Sequence, residues 1–254
     1  MMDLKGKKVL ITGASSGLGK ELSLCLGEEV CDLILVSNQK KELESIATEI
    51  RKKHSAASVT TFCIDLARPE EIGSMCTEVL HQKEYLDILI NCAGIIIPER
   101  IENVKTEDWQ KVLAINLTAP FLLVKYFARS MNEKSGAPLV VNISSSAGKR
   151  GDPFCVSYVA SKFGLNGLTE AINEEYRIHG KLRAVSFCPG SIATPFQDTL
   201  DGFSAIAPKP GVDTILNSAT SAKMILDIIG YSDAIDVSEL SFKARKNQVY
   251  RKGP

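Results

Sequence analysis

Tyr158 and Lys162 stand four residues apart in "SYVASK", a spacing that sets both side chains on one face of a helix. A free phenol titrates near pH ~10, and an ammonium beside it stabilises the phenolate and lowers that value. The pair could thus act as an acid/base near neutral pH. In isolation the pattern would better fit a core tyrosine followed by a surface lysine. Here Ala160, Ser161 and Gly164 leave room for a ligand or a second helix to come close, and Ser145 in "NISSSAG" ends a strand thirteen residues upstream. That position is the carboxyl edge of a sheet, where open α/β folds hold their ligands.

A second chemical signal lies near the start. "TGASSGLG", Thr12 to Gly19, follows the first apolar run and opens the first helical one. Gly13 would permit a tight turn, Gly17 would let backbone approach a pyrophosphate, and Gly19 would let helix and strand pack closely. Ordinary turns also use glycine, but the first strand-to-helix junction of an alternating chain is where dinucleotides bind.

Both groups need a scaffold. "KKVLITG", "DLILVSN", "SVTTFCIDL", "LDILINCAG", "PLVVNISSS" and "LRAVSFCPG" are short apolar runs of the kind buried on both faces of a parallel sheet. Segments such as "LGKELSLCLGEEV" and "KKELESIATEIRKKH" separate them, with apolar residues at helical spacing. The alternation predicts an α/β fold, a single doubly wound, Rossmann-type parallel sheet with helices on both faces. No linker or low-complexity tract divides residues 1–254, so one domain is expected. Residues 193–213 carry Pro-flanked breaks without a clean period and are expected to form a substrate lid. The tail "SELSFKARKNQVYRKGP" runs past a final strand into basic, polar residues expected to be exposed.

Thirty basic side chains balance thirty acidic ones, and no stretch gathers one sign, which favours a small-molecule ligand over nucleic acid or a polybasic membrane anchor. The start lacks a signal-peptide core, and no run approaches the roughly 18 apolar residues of a membrane span. A cytoplasmic protein is expected. Seven scattered cysteines without a C-x-x-C pair argue for reduced thiols and against disulfides or a metal site.

The spacing G-x-x-x-G-x-G resembles that of the short-chain dehydrogenase/reductase family. The resemblance continues through "NCAG", Asn116 in "INLTAPF", "NISSSAG" ahead of Tyr-x-x-x-Lys, and "PGSIAT", in the family's order across residues 5–195. It implies an NAD(P)-dependent oxidoreductase that interconverts a ketone or aldehyde with an alcohol. By that resemblance Ser145 would hydrogen-bond the substrate carbonyl and Tyr158 would pass the proton. Lys162 would lower the phenol's pKa and hold the nicotinamide ribose, and Asn116, in the helix that starts near "KTEDW", would anchor a water. The register of the serine triplet follows from "ISSxAG" and from the distance to Tyr158. Cofactor contacts would come from Gly13, Ser15, Ser16, Gly17, Leu18 and Gly19, from Asn91, Ala93 and Gly94, and from Pro189, Gly190, Ile192 and Thr194. Asp65, with the Leu66 amide, would hold the adenine; alternatively Asp65 caps the next helix. Family members usually pair through the helices carrying Asn116 and Tyr158, so a homodimer or homotetramer is expected.

The coenzyme is less plainly written. Ser37 stands where NAD enzymes carry an acid for the ribose hydroxyl, and Asn38 where many NADP members of the family carry arginine. The missing acid, with Lys40 and Lys41 close behind, favours NADP(H) and leaves NAD(H) open. Singly, those lysines fit a solvated helix turn. Phe154, Phe196, Phe203 and Ile206 would line an apolar wall or pack the lid onto the body. Candidate substrates span acyl thioesters, steroids or retinoids, and small hydroxy acids or sugars. The alternative is a catalytically silent nucleotide sensor or scaffold of the same fold.

Overall fold

The computed structural model describes residues 3–196, 215–231 and 237–244. Most of the expected lid, with Phe203 and Ile206, and most of the basic tail lie outside the described residues. Seven strands form one parallel sheet in the order β3-β2-β1-β4-β5-β6-β7. They are β1 (Lys8–Thr12), β2 (Asp32–Ser37), β3 (Ser58–Cys63), β4 (Ile88–Asn91), β5 (Leu139–Ile143), β6 (Arg183–Pro189) and β7 (Glu239–Phe242). Helices α1 (Gly17–Glu28), α2 (Lys40–Lys53), α3 (Pro69–Lys83), α4 (Thr106–Leu113), α5 (Ala119–Lys134), α6 (Val156–His179) and α7 (Ser218–Gly230) connect them.

Strand pleating explains why the runs are continuously apolar. Val9 and Ile11 pack into one core with residues of α1, α2 and α7, whereas Leu10 between them joins a second core with α3 and α5. Each strand residue is therefore buried whichever way it points. The strand order reverses between β1 and β4, and this switch point opens a crevice beyond the strands' carboxyl ends.

β3 departs from the expectation of a strand buried on both faces. Its ends are exposed and its middle half-buried, because it is an edge with β2 as its sole strand neighbour. The two threonines of "SVTTFC" fit that place, and Thr61 donates to Glu44 on the solvent side at 2.7 Å.

Helices α4 and α5 are continuous through a π-helical turn, Ala114–Thr118. The combined helix, Thr106–Lys134, is long and apolar enough to cross a bilayer by length and composition. Its apolar residues have another use, since Leu123, Phe127 and Met131 are wholly buried in the second core.

Candidate active site

The crevice holds a cleft of about 510 Å³ bounded by the β1–α1 turn, the segments after β4, β5 and β6, and the start of α6. Its phosphate-sized end is shaped by glycine. Gly13 has φ 69°, and a Cβ there would sit 2.9 Å from the Ala93 Cα. A Cβ on Gly19 would collide with the Gly13 carbonyl oxygen. Both positions need hydrogen in place of a side chain for the turn to close against its neighbours. Helix α1 starts at Ser16 with no side chain capping its first turn, and Ser16, Gly17, Leu18 and Gly19 line the cleft. Uncapped amides at a helix start are a cradle for an anion, and the residues present fit a dinucleotide pyrophosphate.

Thr12, which carries no role in the sequence motif beyond ending β1, fastens this turn to the next strand. Its Oγ1 accepts from the backbone N–H groups of Cys92 and Ala93 at 3.0 and 3.1 Å. Ala93 and Gly94 line the cleft as expected of "NCAG". Asn91 does not line it: its amide donates to the Asn142 Oδ1 at 2.8 Å, and Asn142 in turn donates to Thr169. Asn91 thus ties β4 to β5, leaving its own Oδ1 buried without a partner.

Ser15, Ser37 and Asn38 also stand outside the cleft proper. Ser37 is buried, and its hydroxyl meets that of Ser15 at 2.7 Å and accepts from the Gln39 N–H at 3.1 Å. Ser15 donates to the Gln39 Oε1 at 2.8 Å. Gln39 is the partner that motif reasoning passed over. Asn38, Lys40 and Lys41 are exposed beside this trio. Asp65 accepts from the Ala67 N–H at 2.9 Å and lies 3.9 Å from Arg68, so its carboxylate stabilises its own turn. Leu66 is buried in the second core.

The polar groups of the chemical end converge. The Ser145 hydroxyl acts on the Tyr158 phenol, lowering its pKa, and accepts from the Ala147 N–H at 3.1 Å. Of the serine triplet, Ser144 is buried and turned toward the Lys162 carbonyl. Lys162 is buried, its Nζ donating to the Ile143 carbonyl at 2.7 Å and lying 5.6 Å from the Tyr158 ring centre. Asn116 sits in the π turn rather than in a regular α-helix. Its amide is committed on both sides: Oδ1 accepts from the Ile95 N–H, while Nδ2 donates to the Ile95 carbonyl and the Ser161 hydroxyl. It pins the segment after β4 to α6 immediately behind Lys162. Gly164 admits Leu117 of the same turn, whose Cδ2 would lie 2.7 Å from a Cβ there.

Electrostatics differ from the simple picture of a lysine acidifying a phenol. Burial pushes the Tyr158 phenol up to about 12, opposed by the Ser145 hydroxyl. Burial also brings Lys162 down to about 8. Both charged forms are penalised by the same dry surroundings, and the ammonium is directed at the Ile143 carbonyl. The phenol stays protonated and able to donate. Cys92 and Cys155 line the same cleft, but burial pushes their thiols up to about 12 and about 11, far from the thiolate a nucleophile requires.

Pro189, Gly190, Ile192 and Thr194 close the far side. Thr194 lies against Gly17, whose added Cβ would be 3.1 Å from the threonine Cβ. Phe154 lines the wall in the left-handed region, φ 63°, a conformation that costs a bulky residue about 1–2 kcal/mol.

Comparison with known proteins bears on this geometry. A family model described as short chain dehydrogenase matches residues 7–203. A 2-dehydro-3-deoxy-D-gluconate 5-dehydrogenase of Bacillus subtilis is 32% identical over 191 residues, 75% of this chain and 73% of that one. A 3-oxoacyl-(acyl-carrier-protein) reductase of Staphylococcus aureus is 32% identical over 198 residues, 76% and 78% of the two chains. A metagenomic short-chain oxidoreductase solved with NADP superposes with a TM-score of 0.78 at 28% identity, covering 95% of this chain and 98% of that one.

Proposed function

Because this chain belongs to the short-chain dehydrogenase family, we propose that it reduces a ketone or aldehyde with NADPH, or runs the reverse oxidation, with Tyr158 as the acid/base. That it is an oxidoreductase acting on hydroxyl or carbonyl groups with a nicotinamide dinucleotide follows from the family. The observation that carries the finer reading is that Ser145, Tyr158 and the buried Lys162 line one cleft together with the uncapped start of α1.

When bound, the nicotinamide supplies or accepts the hydride. The chain's own groups do the rest. Ser145 and Tyr158 place two hydroxyl donors where a carbonyl oxygen would gain negative charge. Tyr158, kept protonated by burial, gives its proton to that oxygen. Lys162 moves from the Ile143 carbonyl to hold the nicotinamide ribose and to stabilise the phenolate left behind. Asn116 keeps the floor under Lys162 fixed through Ile95 and Ser161. With Ser37 engaged by Ser15 and Gln39, the exposed Asn38, Lys40 and Lys41 are the groups that would meet a 2'-phosphate, which supports NADP(H). Asp65 and the Leu66 amide are proposed to flank the adenine.

The test is loss of reduced-cofactor absorbance with NADPH and NADH in parallel, across ketones, aldehydes and acyl thioesters. Tyr158→Phe is expected to lose turnover while retaining nucleotide binding. Retained turnover would refute the role of Tyr158. Nucleotide binding with no turnover of any carbonyl would instead support a sensor.

A further inference from the structure

Beyond Ser145 and Tyr158 the polarity of the cleft changes. Ile96, Pro98, Ala147, Pro153, Phe154 and Phe196 form the wall on the substrate side. Ile96, Ala147, Cys155 and Tyr158 pack as one apolar cluster with Phe196 against them, and the rings of Tyr158 and Phe196 lie 5.6 Å apart at 47°. Phe154 is anchored in its left-handed conformation, its carbonyl accepting from the Glu99 N–H at 2.8 Å. That bond ties the segment before α6 to the one after β4, so the Phe154 backbone is fixed from both.

Among the described residues, the charged side chains that line this cleft already have partners. Arg150, at the rim, has its Nε 3.5 Å from the Asp152 carboxylate. Outside the cleft lining, Arg100 lies 3.9 Å from Glu102, and Lys149 pairs with Glu239. Lys162, the deep cation, donates to the Ile143 carbonyl and, on the reading above, turns to the ribose when nucleotide is bound. A substrate carboxylate would compete with Asp152 for Arg150, gaining little attraction for the water it gives up. A polyhydroxylated chain would lose hydrogen bonds against Ile96, Pro98, Ala147, Pro153, Phe154 and Phe196, with Arg150 and Asp152 already engaged with each other.

We propose that this protein acts on uncharged carbonyl compounds bearing an aryl or bulky alkyl group, seated against Phe154 and Phe196, and discriminates against oxo acids and sugars. The proposal rests on the hydride-transfer reading above and departs from the sugar-acid substrate in the name of the Bacillus subtilis relative.

Three small ketones test it: benzylacetone, the anion levulinate and the polyol erythrulose. Their kcat/KM is measured with saturating NADPH, or with NADH where that is the coenzyme used. Benzylacetone is expected to be preferred by at least about tenfold. Phe154→Asn, chosen because asparagine tolerates the left-handed region, is expected to lower kcat/KM for benzylacetone by roughly tenfold, chiefly through KM. Preference for levulinate or erythrulose in the wild type overturns the proposal while leaving the oxidoreductase reading intact. An unchanged preference in a folded Phe154→Asn variant overturns the role of that ring. Silence toward all three with turnover of another carbonyl overturns this proposal alone, and silence toward the whole panel of ketones, aldehydes and acyl thioesters, from protein that still binds nucleotide, overturns both readings. Should Phe154→Asn fail to fold, the wild-type ranking decides alone.

Discussion

Replacing Thr12 with valine keeps the shape of a buried β-branched side chain and deletes the acceptor that two backbone amides share. The N–H groups of Cys92 and Ala93 point at Oγ1 from 3.0 and 3.1 Å, and Thr12 is 2% exposed. An amide left unpaired in such surroundings costs about 1–3 kcal/mol. Cys92 and Ala93 are themselves half-buried, so water relieves part of that cost, and the extra methyl of valine offsets a little more. The net loss should be about 2–4 kcal/mol, or roughly 5–15 °C in melting temperature for a chain of this size. The amides belong to the segment that lines the cleft, so nucleotide affinity should fall together with stability. Thr12→Ser, which keeps the acceptor and drops one methyl, should recover all but ~1 kcal/mol. Thermal unfolding monitored by circular dichroism reads both variants. A Thr12→Val protein melting within about 2 °C of wild type would refute the assignment, because so small a shift corresponds to less than one lost hydrogen bond.

Gly19→Ala should abolish nucleotide binding and lower stability, since the new methyl collides with the Gly13 carbonyl, a backbone group that cannot rotate away; calorimetric titration showing wild-type affinity would contradict the packing argument. Lys162 titrates near 8 in the folded chain against 10.5 for a free lysine. Its charge therefore destabilises the nucleotide-free fold in full below pH ~8 and stops doing so above ~10.5, a difference of about 3 kcal/mol. Urea unfolding should accordingly show wild type gaining stability relative to Lys162→Met between those pH values, and a constant difference would reject the shift. Phe121 and Phe163, each 47% exposed on α5 and α6, lie on the helices expected to pair subunits. Light scattering should give a dimer or tetramer that Phe121→Asp with Phe163→Asp dissociates, whereas a monomeric wild type would dismiss that surface.

Much of the architecture could be read directly because burial on two faces leaves an unbroken apolar run, as in β1, β2 and β5. That signal weakens at an edge, so "SVTTFC" was grouped with central strands although its threonines face partly toward water. The glycines of the β1–α1 turn were legible for a similar reason, each having a steric requirement that no other residue meets. Less visible were Thr12 and Gln39, whose roles depend on which backbone or side chain arrives opposite them, a matter of strand order rather than local sequence. Tyr158 and Lys162 could be placed on one helix face from spacing alone. Their electrostatics could not, because desolvation depends on everything packed around them, and it moves both groups away from ionisation.

The π-helical turn between α4 and α5 has a consequence for how this chain can vary. An α-helix turns by about 100° per residue, so removing one residue from Ala114–Thr118 would either rotate everything downstream by more than a quarter of a circle or close the π turn as regular α-helix. Leu123, Phe127 and Met131 would then swing out of the core, or else Asn116 would leave Ile95 and Ser161. The two halves of the helix obey separate registers, one set by the cleft and the other by the sheet, and the extra residue reconciles them. Insertions and deletions that a surface loop would absorb should here cost either the packing of Leu123, Phe127 and Met131 or the contacts of Asn116.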